Sequence, residues 1–149
     1  MDILTDYVVP FLIVLTILVF VHELGHFLVA RYNNVRVEIF SIGFGAELFG
    51  FNDNHGTRWK FSAIPLGGYV KMFGEGEVIA GEGKDKERNL TEEEKAVSFY
   101  HKRLGQRAAI VFAGPLANFV FAVIVLAGLF FASGAPNLLA GIGTVQPGS

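Results

Sequence analysis

Residues 17–30 read Ile17-Leu18-Val19-Phe20-Val21-His22-Glu23-Leu24-Gly25-His26-Phe27-Leu28-Val29-Ala30, an apolar run broken by one His-Glu-x-x-His pattern. Histidines four apart on a helix share a face, so the imidazoles of His22 and His26 can reach one metal ion. Glu23, beside the first of them, is placed to act as general base on a water at that metal. A charged side chain at the centre of a membrane helix costs roughly 2.5–3.5 kcal/mol on insertion scales, so ionisable residues in such a segment mark a use. A lone histidine on an apolar helix is ordinarily a hydrogen-bonded core residue, and a soluble helix can carry this pattern by chance. Three ionisable residues at this spacing inside a spanning segment favour a metal site. Glu23, which only chemistry requires, favours a catalytic one.

Working outward, the apolar run extends from Tyr7 to Ala30, about 24 residues or ~36 Å of helix, enough to span a bilayer. Pro10 falls in its first turn, where the missing N–H does no harm. The acidic head with Asp2 and Asp6 lacks the basic n-region of a cleaved signal peptide, so a retained helix is expected. A second run, Ala108–Ala132, has no charge in 25 residues and is the second expected span. Gly114 and neighbouring small residues there admit a close helix, and Asn118 in lipid requires a partner.

The chain has 149 residues, 52% hydrophobic, with no cysteine and a formal charge of −2. Its hydropathy is concentrated in those two runs, the signature of a membrane protein. The lack of cysteine excludes a disulfide framework and thiolate metal ligands, and no basic tract points to nucleic acid. All 12 Lys and Arg lie between Arg31 and Arg107. The positive-inside rule therefore predicts a cytoplasmic loop 31–107, both termini outside, and a metal motif opening toward the cytoplasm.

Within that loop, 35–51 and 57–73 are rich in β-branched and aromatic residues and flank the turn sequence Asn52-Asp53-Asn54-His55-Gly56, which predicts a β-hairpin over 35–73. Glycines 43, 45, 67 and 68 suggest bulges or close backbone approach. The hairpin reads equally as an interfacial anchor at headgroup level or as an edge that pairs with an extended substrate. Residues 74–90, Gly-rich and charged, predict a mobile loop. Thr91 with Glu94 forms a capping box opening a short amphipathic helix over 91–104. The expected fold is thus a mainly α membrane protein: two transmembrane helices (7–30 and 108–132) joined by a loop with a membrane-associated hairpin and one amphipathic helix.

His22-Glu23-Leu24-Gly25-His26 in a first membrane helix resembles the site-2 proteases, intramembrane zinc metalloproteases. Gly43-Phe44-Gly45, the run from Ile64-Pro65-Leu66-Gly67-Gly68-Tyr69 to Met72, Gln106-Arg107, and Ala113-Gly114-Pro115-Leu116-Ala117-Asn118-Phe119 extend the likeness. Together they resemble the bacterial branch of regulator of sigma-E protease type, which cleaves membrane-bound anti-sigma factors. Residues 133–149 read as an extracytoplasmic tail, in which Ile142-Gly143-Thr144-Val145 with Pro147-Gly148-Ser149 is similar to the opening of that branch's first extracytoplasmic PDZ domain. The resemblance implies a bacterial inner-membrane, multi-pass protease with Zn2+ held by His22 and His26 and Glu23 as catalytic base. Its implied partners are single-span membrane substrates of anti-sigma type, remnant signal peptides and the lipid bilayer, and Gly43, Phe44 and Gly45 are candidate substrate contacts. The family's third zinc ligand is an aspartate on a later helix, which these 149 residues do not contain, so the chain reads as an N-terminal fragment, inactive when isolated. The alternative is a truncated, non-catalytic membrane module that binds substrate helices or partners. Zinc transport would call for further His or Asp along 108–132, where there is none.

Overall fold

The computed structural model describes residues 2–75 and 90–134. Most of the loop expected over 74–90, and nearly all of the tail expected to lead into a PDZ module, lie outside the described residues.

A π-helical turn at Leu4–Val8 runs directly into α1 (Val9–Tyr32), with Pro10 in the first turn. The helical run therefore begins three residues before the apolar stretch and ends two after it. Asn34 stops α1 by taking a left-handed conformation (φ 55°), which short polar residues tolerate. Val35 N–H then reaches back to the Ala30 carbonyl (2.9 Å) and Asn34 N–H to that of Arg31 (3.0 Å), satisfying carbonyls a helix end leaves open.

Two long strands follow, β1 (Val37–Asn52) and β2 (Arg58–Met72), paired antiparallel. The hairpin end runs from Asn52↔Arg58 to Glu47↔Ser62, and the open end from Val37↔Met72 to Ile42↔Gly68. Between them the strands fold over one another, so that Phe40 lies opposite both Val70 and Trp59. Gly43 (φ 88°) and Gly45 (φ 85°) stand where the register slips, in a backbone conformation that residues with a Cβ avoid.

The sheet packs along α1 rather than at one end of it. Trp59 lies 5.1 Å from Phe27, ring to ring, Gly68 abuts Val19 and Glu23, and the Pro65 carbonyl accepts from Thr16 Oγ1 at 3.5 Å. From Arg31, paired with Asp53 at 2.9 Å, to Thr16 is 15 residues of helix, ~22 Å.

The expected amphipathic helix is shorter than 91–104. The Thr91–Glu94 capping box forms, but α2 covers only Glu92–Val97. Backbone bonds explain the break: Arg36 N–H takes the Val97 carbonyl and Phe99 N–H the Phe73 carbonyl (both 3.0 Å), drawing the chain out of the helix. Ser98 and Phe99 are buried as a result. The second long helix, α3 (Leu104–Ser133), starts four residues before the apolar run, where the Gln106 side chain accepts from Arg103 N–H at 3.2 Å. It lies antiparallel to α1, and Gln106 Nε2 donates to Asn33 Oδ1 at 3.2 Å across the pair.

The core sits where these pieces meet: Phe27, Ala30, Val35, Val37, Phe40, Met72, Phe99 and Ile110. On their faces away from each other and from the sheet, α1 and α3 expose large apolar side chains, including Phe112, Phe119 and the 95%-exposed Phe131. Both helices are long and apolar enough to cross a membrane.

Candidate metal centre

His22 and His26 stand one turn apart on α1, and their ring centroids are 4.8 Å apart. Facing them is α3, and the approach is close because both helices carry small residues there. A Cβ on Gly25 would run into the Ala113 carbonyl oxygen and come within 2.7 Å of the Ala117 Cβ. Gly114, one residue on from Ala113, occupies the space in front of the two imidazoles. A Cβ there would collide with His26 Nε2 and stand 2.7 Å from His22 Nε2. The two Nε2 atoms therefore converge on a small space that glycine alone keeps open.

The orientation of His26 is set from α3. Its Nδ1 lies 2.7 Å from the Ile110 carbonyl oxygen, which can only accept, so Nδ1 carries a proton, and in the neutral ring Nε2 is then the nitrogen with the lone pair. This is the tautomer a metal ligand needs, with the other nitrogen anchored as metal-binding histidines ordinarily are.

Glu23 turns toward the sheet. The Gly68 backbone lies against its Cγ, and Val70 stands beside it in the wall of one cavity. That cavity, of about 220 Å³, is lined by Glu23, His26, Tyr69, Val70, Glu75 and Ile110 among others. Carboxylate, imidazole and main-chain edge thus share one half-buried chamber.

Gly43, Phe44 and Gly45 do not line that chamber. They connect to it through one contact, the Phe44 ring stacked on Tyr69 at 6.2 Å and 12°. Among the described residues no third His, Cys, Asp or Glu joins His22 and His26 in a metal-binding group. Asp53 is committed to Arg31 and the hairpin turn, Glu47 pairs with Arg58, and His101 contacts Ser98 at 3.2 Å. What the residue pattern did not single out is Ile110 as the anchor of His26. A backbone acceptor leaves no mark on side-chain identity.

Two imidazole nitrogens converging on the cradle that a Gly114 Cβ would fill are two of the three protein ligands a catalytic zinc ordinarily takes, and Glu23 stands beside them.

A protein of Agrobacterium fabrum named a candidate zinc metalloprotease is 52% identical over 127 residues, covering 85% of this chain and 34% of the relative. One of the same description from Brucella suis is 47% identical over 151 residues, covering 99% and 39%. The regulator of sigma-E protease of Salmonella typhimurium is 45% identical over 139 residues, covering 93% and 28%. The chain thus spans between about a quarter and two fifths of these relatives' lengths. The family model described as peptidase family M50 matches residues 10–146, nearly the whole chain, and the chain belongs to that family.

Proposed function

We propose that this chain is the N-terminal part of a zinc-dependent intramembrane protease that cuts single-span membrane proteins of anti-sigma-factor type, and remnant signal peptides, in a bacterial inner membrane. The observation that carries this reading is the convergence of His22 and His26 Nε2 on the space before Gly114, with Glu23 alongside. A catalytic zinc ordinarily takes three protein ligands, and the resemblance supplies the third as an aspartate from a later helix.

When bound, zinc would lower the pKa of a water to roughly 7 and polarise the scissile carbonyl. His22 and His26 would hold it. Glu23 accepts the proton of the attacking water and returns it to the leaving amine. A substrate helix hides its carbonyls in i to i−4 bonds and must unwind before it is cut. The strand edge at Gly43-Phe44-Gly45 would hold the unwound segment by main-chain bonds, and Phe44 on Tyr69 links that edge to the chamber. If the two long helices are spans, the basic residues of the loop favour a chamber that faces the cytoplasm.

The test is cleavage of a model transmembrane substrate by the full-length protein. Glu23→Gln is expected to lower the rate by about 10²–10⁴-fold while zinc stays bound. Undiminished cutting by that variant would refute the assignment of the base, and zinc content unaffected by His22→Ala would refute the metal site.

A further inference from the structure

Ile110, Gly114 and Asn118 are spaced by four along α3 and share the face that meets α1. Opposite Ile110 stands His26, before Gly114 the two Nε2 atoms converge, and opposite Asn118 stands His22. The Asn118 Nδ2 lies 3.4 Å from His22 Nδ1, while Asn118 Oδ1 is buried with no hydrogen-bond partner. That orientation serves neither group. An amide donating to Nδ1 puts the imidazole proton on Nε2, the nitrogen aimed at Gly114, and closes it to a metal. A half-turn of the amide about its terminal torsion exchanges oxygen and nitrogen in nearly the same volume. Oδ1 then accepts from His22 Nδ1–H, Nδ2 takes the place the oxygen had, and His22 Nε2 presents a lone pair beside that of His26.

We propose that Asn118 is the positioning residue for His22, its amide oxygen holding the Nδ1–H tautomer so that Nε2 is free to bind metal. The proposal rests on the reading of His22 and His26 as ligands. It makes α3, which supplies neither histidine, the helix that sets both of them: His26 through a main-chain carbonyl and His22 through a side chain.

The full-length protein, stripped of metal in detergent, is titrated with zinc against a competing chelator. Asn118→Leu, which keeps bulk and removes the acceptor, is expected to weaken zinc binding by about 10–100-fold, the usual effect of losing a ligand's supporting hydrogen bond. Asn118→Asp, whose carboxylate only accepts, is expected to recover most of that loss. Zinc binding by the Leu variant as tight as wild type, or by the Asp variant as weak as the Leu variant, overturns the proposal and leaves the ligand reading intact. A wild-type protein that binds no zinc overturns both. In the metal-free wild type, two-bond 15N–1H correlations are expected to find the His22 proton on Nδ1. A proton on Nε2 overturns the proposal whether or not any variant folds.

Discussion

At Gly114 a single methyl group separates two outcomes. Its Cβ would collide with His26 Nε2 and crowd His22 Nε2, so Gly114→Ala fills the space in which a metal would sit. The variant should lose zinc by more than the ~100-fold that removal of a supporting residue causes, with helix content by circular dichroism unchanged. Gly128→Ala is the control on the same helix, because a Cβ there meets nothing within 4 Å, and it should retain both zinc and activity. Retention of zinc by Gly114→Ala would mean that the imidazoles converge elsewhere. Much at this scale was legible beforehand, since helical spacing alone puts His22 and His26 on one face. The demand for a partner at Asn118 also followed from its apolar surroundings. Which partner it has, and which atom of Gly114's surroundings a methyl would strike, depend on the register of two helices packed against each other, and neither helix's sequence states that register alone.

Between elements, the α1–α3 contact depends on Gly25, whose missing side chain lets the Ala113 backbone approach. Gly25→Ala adds a methyl where the neighbouring atoms are the Ala113 main chain and the Ala117 Cβ, neither of which can swing aside. The expected loss is about 1–3 kcal/mol, read as a lowered thermal midpoint in detergent, and Gly25→Leu should separate the helices outright. The hairpin turn has its own pH dependence. Burial opposes ionisation of Asp53, but bonds from Thr57 N–H (3.0 Å), His55 N–H (2.8 Å), Trp59 Nε1 and Arg31 outweigh it and hold the carboxyl at about 2, below its ordinary 3.8. A depressed folded-state pKa contributes stability that is complete above about pH 4 and is lost as pH falls through about 2. Trp59 is the chain's one tryptophan, so its emission should report the turn loosening in that window, and Asp53→Asn should remove the transition. Turn chemistry made Asp53-containing 52–56 readable as a hairpin. The end of α2 at Val97 was not readable, because the backbone bonds that stop it come from Arg36 and Phe73, over 20 residues away in the chain.

For the whole molecule, the depth of the sheet raises a physical demand. If α1 spans the bilayer, Pro65 beside Thr16 puts the Phe44↔Ile64 region of the hairpin well inside it. Unpaired strand edges do not face hydrocarbon, because each unsatisfied peptide group there costs several kcal/mol, so such an edge must line water or pair with another chain. The Gly43–Gly45 edge is therefore expected to be wet in the resting protein and covered when substrate is held. The chain has no cysteine, which makes single-cysteine labelling clean. A cysteine at Phe44 should react with a membrane-impermeant maleimide applied from the cytoplasmic side, as should one at Asn54 in the turn, while one at Asp2 should react only from outside. A cysteine at Phe131, 95% exposed on the outward face of α3, should resist the reagent from both sides. Bound model substrate should slow labelling at Phe44 and leave Asn54 unchanged. A Phe44 position unreactive without substrate would mean the edge is covered by some other part of the protein, and labelling of Asn54 from outside would reverse the orientation drawn from the 12 basic residues of the loop.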